Sequence, residues 1–364
     1  MSKEENIVTK RAVTFVNNAT PATITETELD LNTCFKDNEI VISVEAAALN
    51  PVDFTMHDLA YPRFCSSQPK GYSRDYAGVM VRRGAKVEPK WQVGDKVNGL
   101  FQHLYGEQGT LANYLILNPK KQASIAHIPP TEDSDQNEFV HAAAWPLVFG
   151  SAYNTLFRCG QTFNEDSRIL VNGASTAVSN AFIQIAKNQL HVGTVVGICN
   201  SASVERNKKL GFDYLVPYNQ EGSITDNVEK LMKENHIGKF DLIFDSVGTS
   251  EFYPIMDRFL KPRSENSYYI TLAGDEKMKY GKPTFSSVFQ YKIPLRTYNP
   301  WRKFNFAFFL TEPRSDFMEL GSRMIEKGTY VPPIDSIYKF DQFQEAIDRL
   351  KSNKAKGKVV VTIN

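Results

Sequence analysis

At 364 residues, with 42% hydrophobic and 23% charged side chains, the chain has the composition of a soluble globular protein large enough for two cores. Its 42 Lys and Arg against 41 Asp and Glu leave a net charge of +1, which offers no long-range field for phosphate backbones and argues against nucleic-acid binding. Cys34, Cys65, Cys159 and Cys199 form no CxxC pair, so neither a structural zinc nor a disulfide framework is expected. The start, "MSKEENIVTKR", lacks the apolar core of a signal peptide and no run approaches a membrane span, so the default expectation is a cytoplasmic protein.

In chain order, the first third reads as β-rich: "NEIVISVEAAALNPVDF", "YAGVMVRRGAKV", "QVGDKVNGLF" and "TLANYLIL" are short apolar or alternating runs between turn residues. The polar, proline-led "PPTEDSDQNE" from Pro129 reads as a surface connection. From Val140 to about Asn299 the texture becomes alternating. "AAAWPLVFGSAYNTLF" reads as helix, "RILVNG" as strand, "AVSNAFIQIAKNQL" as helix, "GTVVGICN" as strand and "SVERNKKLG" as helix, followed by the strand-like "FDYLVPY", "FDLIFDSVG" and "YYITLAG". Such alternation indicates a parallel sheet covered by helices. In the second of these helices Ala177, Val178, Ala181, Phe182, Ile185, Ala186 and Leu190 form one apolar stripe that would face the sheet. The last sixty residues or so offer helices in "DFMELGSRMIEKG" and "FDQFQEAIDRLKSN" and a closing strand, "KGKVVVTI", expected to pair with the β-rich first domain. The expected domains are therefore 1–139, 140–300 and a C-terminal return, 301–364.

The turn "NGASTAVSN" (Asn172 to Asn180) joins a strand to an amphipathic helix, the arrangement in which helix N–H groups receive a dinucleotide pyrophosphate. It holds one glycine, Gly173, where such turns usually hold several. Two readings are open. The N–H groups meet a phosphate, with Ser175 or Thr176 adding a hydrogen bond; or one of those hydroxyls caps the helix and no ligand is needed. The next strand ends in Cys199 and Asn200, followed by Ser201 and Ser203. No carboxylate occurs before Glu205, and Arg206 follows, which favours a 2′-phosphate and hence NADPH over NADH.

Several segments together resemble the zinc-independent quinone oxidoreductase branch of the medium-chain dehydrogenases/reductases: "AAALNPVDF", "SRDYAGVMVRRGAKV" with "VGDKVNG", "GTLANYLI", "AAAWPLVFGSAYNTL", "ILVNGAS", "AFIQIAKN", "KKLGFDYLVPY", "FDLIFDSVG" and "GKVVV". They occur in the family's order over nearly the whole chain, and the altered "GAST" turn resembles that of a fungal subgroup. The resemblance implies an α/β chain with a GroES-like β-rich catalytic domain and a Rossmann doubly wound parallel sheet. Zinc-dependent relatives carry a cysteine where this chain has Asn50, and Gly-His-Glu where it has Ser73, Arg74 and Asp75. Asn50 and Arg74 are poor zinc ligands, so no metal is expected.

Carried over residue by residue, the resemblance implies that Asn50 and Asp53 lie near the nicotinamide and that Tyr61 belongs to the substrate cleft. A second family tyrosine is replaced by Thr55. For the cofactor it implies Ser151; the turn residues Gly173, Ala174, Ser175, Thr176, Ala177 and Val178; Tyr218 beside the adenosine phosphate, next to Asn200 and Ser201 of the strand end; and Asp245, Val247, Gly248, Leu272 and Ala273 beside the nicotinamide. The family's lysine for the adenosine phosphate aligns with Ser203, a departure for which Arg206, about one helical turn on, could substitute. Lys358 fits the closing "GK". Each catalytic match has a second reading: Asn50 and Asp53 could order a turn before a helix, and Tyr61 could be a packing residue. The implied reaction is NADPH-dependent reduction of a quinone or activated alkene, with a non-catalytic nucleotide sensor or interaction protein as the alternative. Homodimers are usual in the family. The aromatic and basic run Phe289 to Leu310 could line the substrate cleft, make a subunit contact, lie on a lipid surface or simply be a buried crossover; fungal relatives associate with lipid droplets and mitochondria.

Overall fold

A computed structural model describes residues 6–129, 138–277, 292–299 and 301–363. The expected connection falls mostly at 130–137, and positions 289–291 and 300 of the aromatic run also lie outside the described residues. No described helix is long and apolar enough to cross a membrane. The chain divides into two compact units, Met1–Gly150 with Glu312–Asn364, and Ser151–Thr311.

The first unit begins with β1 (Ile7–Phe15), β2 (Thr23–Asp30), β3 (Ile40–Leu49), α1 (Pro51–Asp58), β4 (Lys70–Gly71), β5 (Asp75–Arg83), β6 (Lys96–Leu100), β7 (Tyr114–Leu117) and β8 (Ile125–His127). The apolar run that starts at Ile40 changes to helix at Pro51, because proline fixes the helical φ and gives up an N–H that the first turn cannot satisfy anyway. The segment read as one helix from Ala142 is two, α2 (Glu138–Ala143) and α3 (Pro146–Phe157). Pro146 cannot continue a helix but starts one well.

The second unit carries β9 (Arg168–Asn172), α4 (Ala177–Asn188), β10 (Thr194–Cys199), α5 (Val204–Lys209), β11 (Tyr214–Pro217), α6 (Ile224–Glu234), β12 (Leu242–Asp245), β13 (Tyr268–Thr271) and β14 (Asn305–Phe308). These strands form one parallel sheet in the order β11-β10-β9-β12-β13-β14. Strand order reverses beside β9, and ligands of such sheets bind outside the carboxyl ends of the strands at that switch. Ala181, Phe182, Ile185 and Ala186 are buried as the apolar stripe requires, while Ala177 and Val178 at the helix start are only half-buried.

The chain then returns to the first unit with β15 (Ile334–Lys339) and β16 (Lys358–Thr362), and β16 pairs antiparallel with β3, as expected of the closing strand. The unit boundaries fall at 150/151 and 311/312, later than the expected 139/140 and 300/301. Val140, Ala142, Ala143 and Ala144 pack with Ala46, Ala48, Ala77 and Val360 in the first unit, and β14 completes the parallel sheet of the second.

Within the returning segment Asp335 accepts two hydrogen bonds from the Arg349 guanidinium at 2.8 Å, and these bonds pull its carboxyl down to about 2. A carboxyl lowered on folding contributes stability above its unfolded pKa of about 3.9 and loses it as pH falls toward the folded value. The stability difference between the native chain and Arg349→Met is therefore expected to be constant above about pH 5 and to shrink toward about pH 2, as read by urea denaturation across that range.

Candidate functional site

The turn expected to receive a nucleotide starts where β9 ends. Gly173 has φ +88°, and a β-carbon there would lie 2.5 Å from Val247 Cγ1 and 2.7 Å from Ser246 Oγ. The turn keeps its one glycine at the position that needs it for both sterics and handedness. Ala174 is buried against β10, where its N–H donates to Ile198 O at 2.9 Å. Gly197 makes that close approach feasible, since a β-carbon there would meet Ala174 Cβ at 2.8 Å. The other expected glycines are replaced because their positions carry side chains with partners. Ser175 Oγ accepts from the buried Asn207 Nδ2 at 2.8 Å, and Thr176 is the N-cap of α4, its Oγ1 accepting from the Ser179 N–H at 3.2 Å.

The capping reading is thus correct for one donor. The Ala177 and Val178 N–H groups, at the first turn of a twelve-residue helix, have no acceptor among the described residues. They are the unsatisfied donors that an anion can take. Beneath them Thr176 Oγ1, Ser179 Oγ and Ser246 Oγ lie within 3.2 Å of one another, and Ser246 Oγ donates to Asn172 O at 3.0 Å. This hydroxyl cluster occupies the space under the turn and fixes the α4 entry. Ser246 was missed in the sequence, because its significance comes only from the parallel register of β9 and β12.

The residues expected at the adenosine end lie at and after the end of β10. Asn200 Oδ1 accepts from the Ala202 N–H, its Nδ2 donates to Tyr218 Oη at 3.2 Å, and Ser201 exchanges two hydrogen bonds with Asn219. Tyr218 is half-exposed and Ser203 and Arg206 partly exposed on the segment that follows. No carboxylate stands among Cys199, Asn200, Ser201 and Ser203.

On the other side of β9, Asp245 is fully buried. Its carboxylate accepts from the N–H groups of Val247, Gly248 and Thr249, from Asn172 Nδ2 and from Tyr269 Oη. Burial raises its carboxyl above the usual range, and those donors pull it back. This saturated side chain shapes the loop 246–249, whose backbone is the part expected beside the nicotinamide. Thr271 Oγ1 accepts from the Ala273 and Gly274 N–H groups and so holds the Leu272–Ala273 loop at the end of β13. Ser151 Oγ lies 2.6 Å from Thr311 Oγ1 within the same unit.

In the first unit the sheet register creates a buried charge network. Asp75 opposes Ala48 across β3 and β5, and Val359 opposes Leu49 across β16 and β3, so Asn50, Asp75 and Lys358 meet at one end. Lys358 Nζ donates to Asn50 Oδ1 at 2.6 Å and to Asp75 Oδ2 at 3.0 Å, and Asn50 Nδ2 donates to the same Asp75 oxygen at 2.8 Å. Asp75 Oδ1 accepts from the Leu147 N–H at 2.9 Å, thereby capping α3. Asp53 accepts from the Asn50 N–H and from Arg74 Nη1, both at 2.8 Å, and Arg74 also donates to His103 O. Burial, reinforced by Arg74, lowers His103 to about 4, which keeps its imidazole neutral.

Asn50 and Asp53 are 1% and 3% exposed with protein partners on every side-chain polar atom, and they order the start of α1, the second of the two readings open from the sequence. Lys358, 3% exposed, compensates Asp75, and its ammonium is taken up by Asp75 and Asn50. Tyr61 alone of the expected catalytic residues is open, 43% exposed in the turn after α1, and its phenol has no partner among the described residues. Nor does this donor set fit a zinc ion: two cations already neutralise the two carboxylates, and the Asn50 amide bridges the Lys358–Asp75 pair.

Residues 210–361 match the family model described as zinc-binding dehydrogenase. The chain is 53% identical over 363 residues to Protein YIM1 of Saccharomyces cerevisiae, covering 98% of this chain and 99% of that protein. Among solved structures it is similar to a quinone oxidoreductase from Coxiella burnetii, with a TM-score of 0.72 at 18% identity over 98% of this chain and 100% of the other. An alcohol dehydrogenase superfamily protein from Novosphingobium aromaticivorans is similar at TM-score 0.72 and 19% identity over 98% and 100% of the two chains.

Proposed function

Since the chain belongs to the quinone oxidoreductase-like branch of the medium-chain dehydrogenase/reductase family, we propose that it is an NADPH-dependent reductase of quinones or activated alkenes and carbonyls that works without zinc. The observation that carries this reading is the pair of unpartnered N–H groups, Ala177 and Val178, at the start of α4 beside the switch in strand order. Those donors would take the pyrophosphate, and the carboxylate-free end of β10 with Arg206 would accept the 2′-phosphate. Bound there, NADPH supplies the hydride. The loops held by Asp245 and Thr271 would orient the nicotinamide end through backbone groups. Tyr61, with a solvent-accessible phenol, binds the acceptor's carbonyl oxygen and returns the proton that completes the two-electron reduction.

The test is titration with NADPH and NADH followed by turnover with a panel of quinones, enones and aldehydes. NADPH is expected to bind and be oxidised. Arg206→Ala is expected to weaken NADPH on the order of tenfold and leave NADH unchanged, as loss of one charge-assisted hydrogen bond requires. Equal loss for both cofactors would count against the 2′-phosphate role. The rival reading, a non-catalytic nucleotide sensor, draws on the enclosure of Asn50 and Asp53 in protein partners. NADPH binding with no turnover on the whole panel would favour it.

A further inference from the structure

The carboxyl ends of the parallel strands carry the nucleotide turn, and their amino ends carry a separate cavity of about 510 Å³, the size of a small-molecule site. Lys239 precedes β12, Pro262 precedes β13 and Phe304 directly precedes β14, so this cavity lies at the edge of the sheet opposite Gly173 and Val247. The reaction proposed above does not use it. Met256, Leu260 and Phe306 give it an apolar floor, and Trp301, 88% exposed, presents a flat ring.

Its charges are unbalanced. Lys261 is neutralised by Asp241 at 2.6 Å, and Arg296 pairs with Asp275 while lying over the Tyr253 ring. Lys239 and Lys303 have no partner among the described residues. Arg302 donates from Nη1 to Thr297 O, but its Nε is buried without an acceptor. Against these three cations the lining holds one uncommitted carboxylate, Asp257. A buried guanidinium donor left unpaired beside an apolar floor is a site short of an anionic acceptor.

We propose that this cavity binds a small organic anion with a planar apolar body, such as an aromatic carboxylate or sulfonate. The acid group pairs with Arg302, Lys239 and Lys303, and the ring lies on the apolar floor beside Trp301.

The full chain titrated with 8-anilinonaphthalene-1-sulfonate provides the test, read by dye fluorescence. Saturable binding is expected that excess NADPH does not displace, and the uncharged N-phenyl-1-naphthylamine should bind at least about tenfold more weakly. Lys239→Glu with Lys303→Glu, both exposed and outside the nucleotide site, should weaken the sulfonate at least about tenfold with an unchanged melting temperature; Arg302→Gln should do the same. If Arg302→Gln fails to fold, the double lysine variant decides. Absence of binding, equal affinity for the uncharged dye, displacement by NADPH or indifference to the lysine reversals would each overturn the proposal.

Discussion

Lys358→Met is expected to destabilise the chain by about 3–5 kcal/mol in urea denaturation near neutral pH, the cost of leaving a buried carboxylate without its cation. The methionine nearly matches the lysine stem in volume, so packing is kept while the ammonium is lost. Asp75 would retain the Asn50 and Leu147 donors, 2.8 and 2.9 Å away, but no charge. Burial already raises the Asp75 carboxyl, and Lys358 is the largest influence lowering it. Without that cation the folded pKa climbs further above the unfolded value of about 3.9. A carboxyl raised on folding keeps a proton that the unfolded chain has released, so stability is full at low pH and falls as pH rises through the interval. The deficit of Lys358→Met should therefore grow as pH rises above the unfolded value of about 3.9. Lys358→Met with Asp75→Asn should recover part of it, because the pair is then removed together. A deficit under about 1 kcal/mol would mean that solvent reaches Asp75.

Ala177→Pro is expected to weaken NADPH binding by roughly 10- to 150-fold, the equivalent of one hydrogen bond to a charged group, while the melting temperature stays near that of the native chain. Ala177 is the first residue of α4, the one helical position at which proline is well tolerated. Thr176 before it is already extended, with φ −71° and ψ 155°, as a residue preceding proline should be. The substitution removes one of the two unpartnered N–H groups and leaves the Thr176 cap on Ser179 in place. Equilibrium titration against the native chain reads the effect directly. Unchanged affinity would place the pyrophosphate elsewhere than on this helix.

Both variants probe groups whose roles were unevenly visible in the sequence. The "NGAST" segment lies between a strand and an amphipathic helix, so the position of the turn followed from local periodicity, and Gly173 was identifiable as the residue that must turn. That Thr176 caps Ser179 but leaves the Ala177 and Val178 N–H groups without an acceptor among the described residues depends on rotamers and on Ser246, which is seventy residues away from Thr176 in sequence. Lys358 was legible only as the end of a family motif. Its position between Asn50 and Asp75 follows from the antiparallel registers of β16 with β3 and of β3 with β5.

The sequence by itself determined the alternation of strands and helices in the second unit, the return of the closing strand to the first, and the unsuitability of Asn50 and Arg74 as zinc ligands, because periodicity and ligand chemistry are local properties. Tertiary structure decided which polar side chains are available for chemistry. Asn50, Asp53, Asp245 and Lys358 resemble site residues in a linear reading, yet each is buried and committed to protein partners. A buried polar atom must be satisfied by whatever the fold brings next to it, and that neighbour is set by sheet register across hundreds of residues rather than by adjacent sequence.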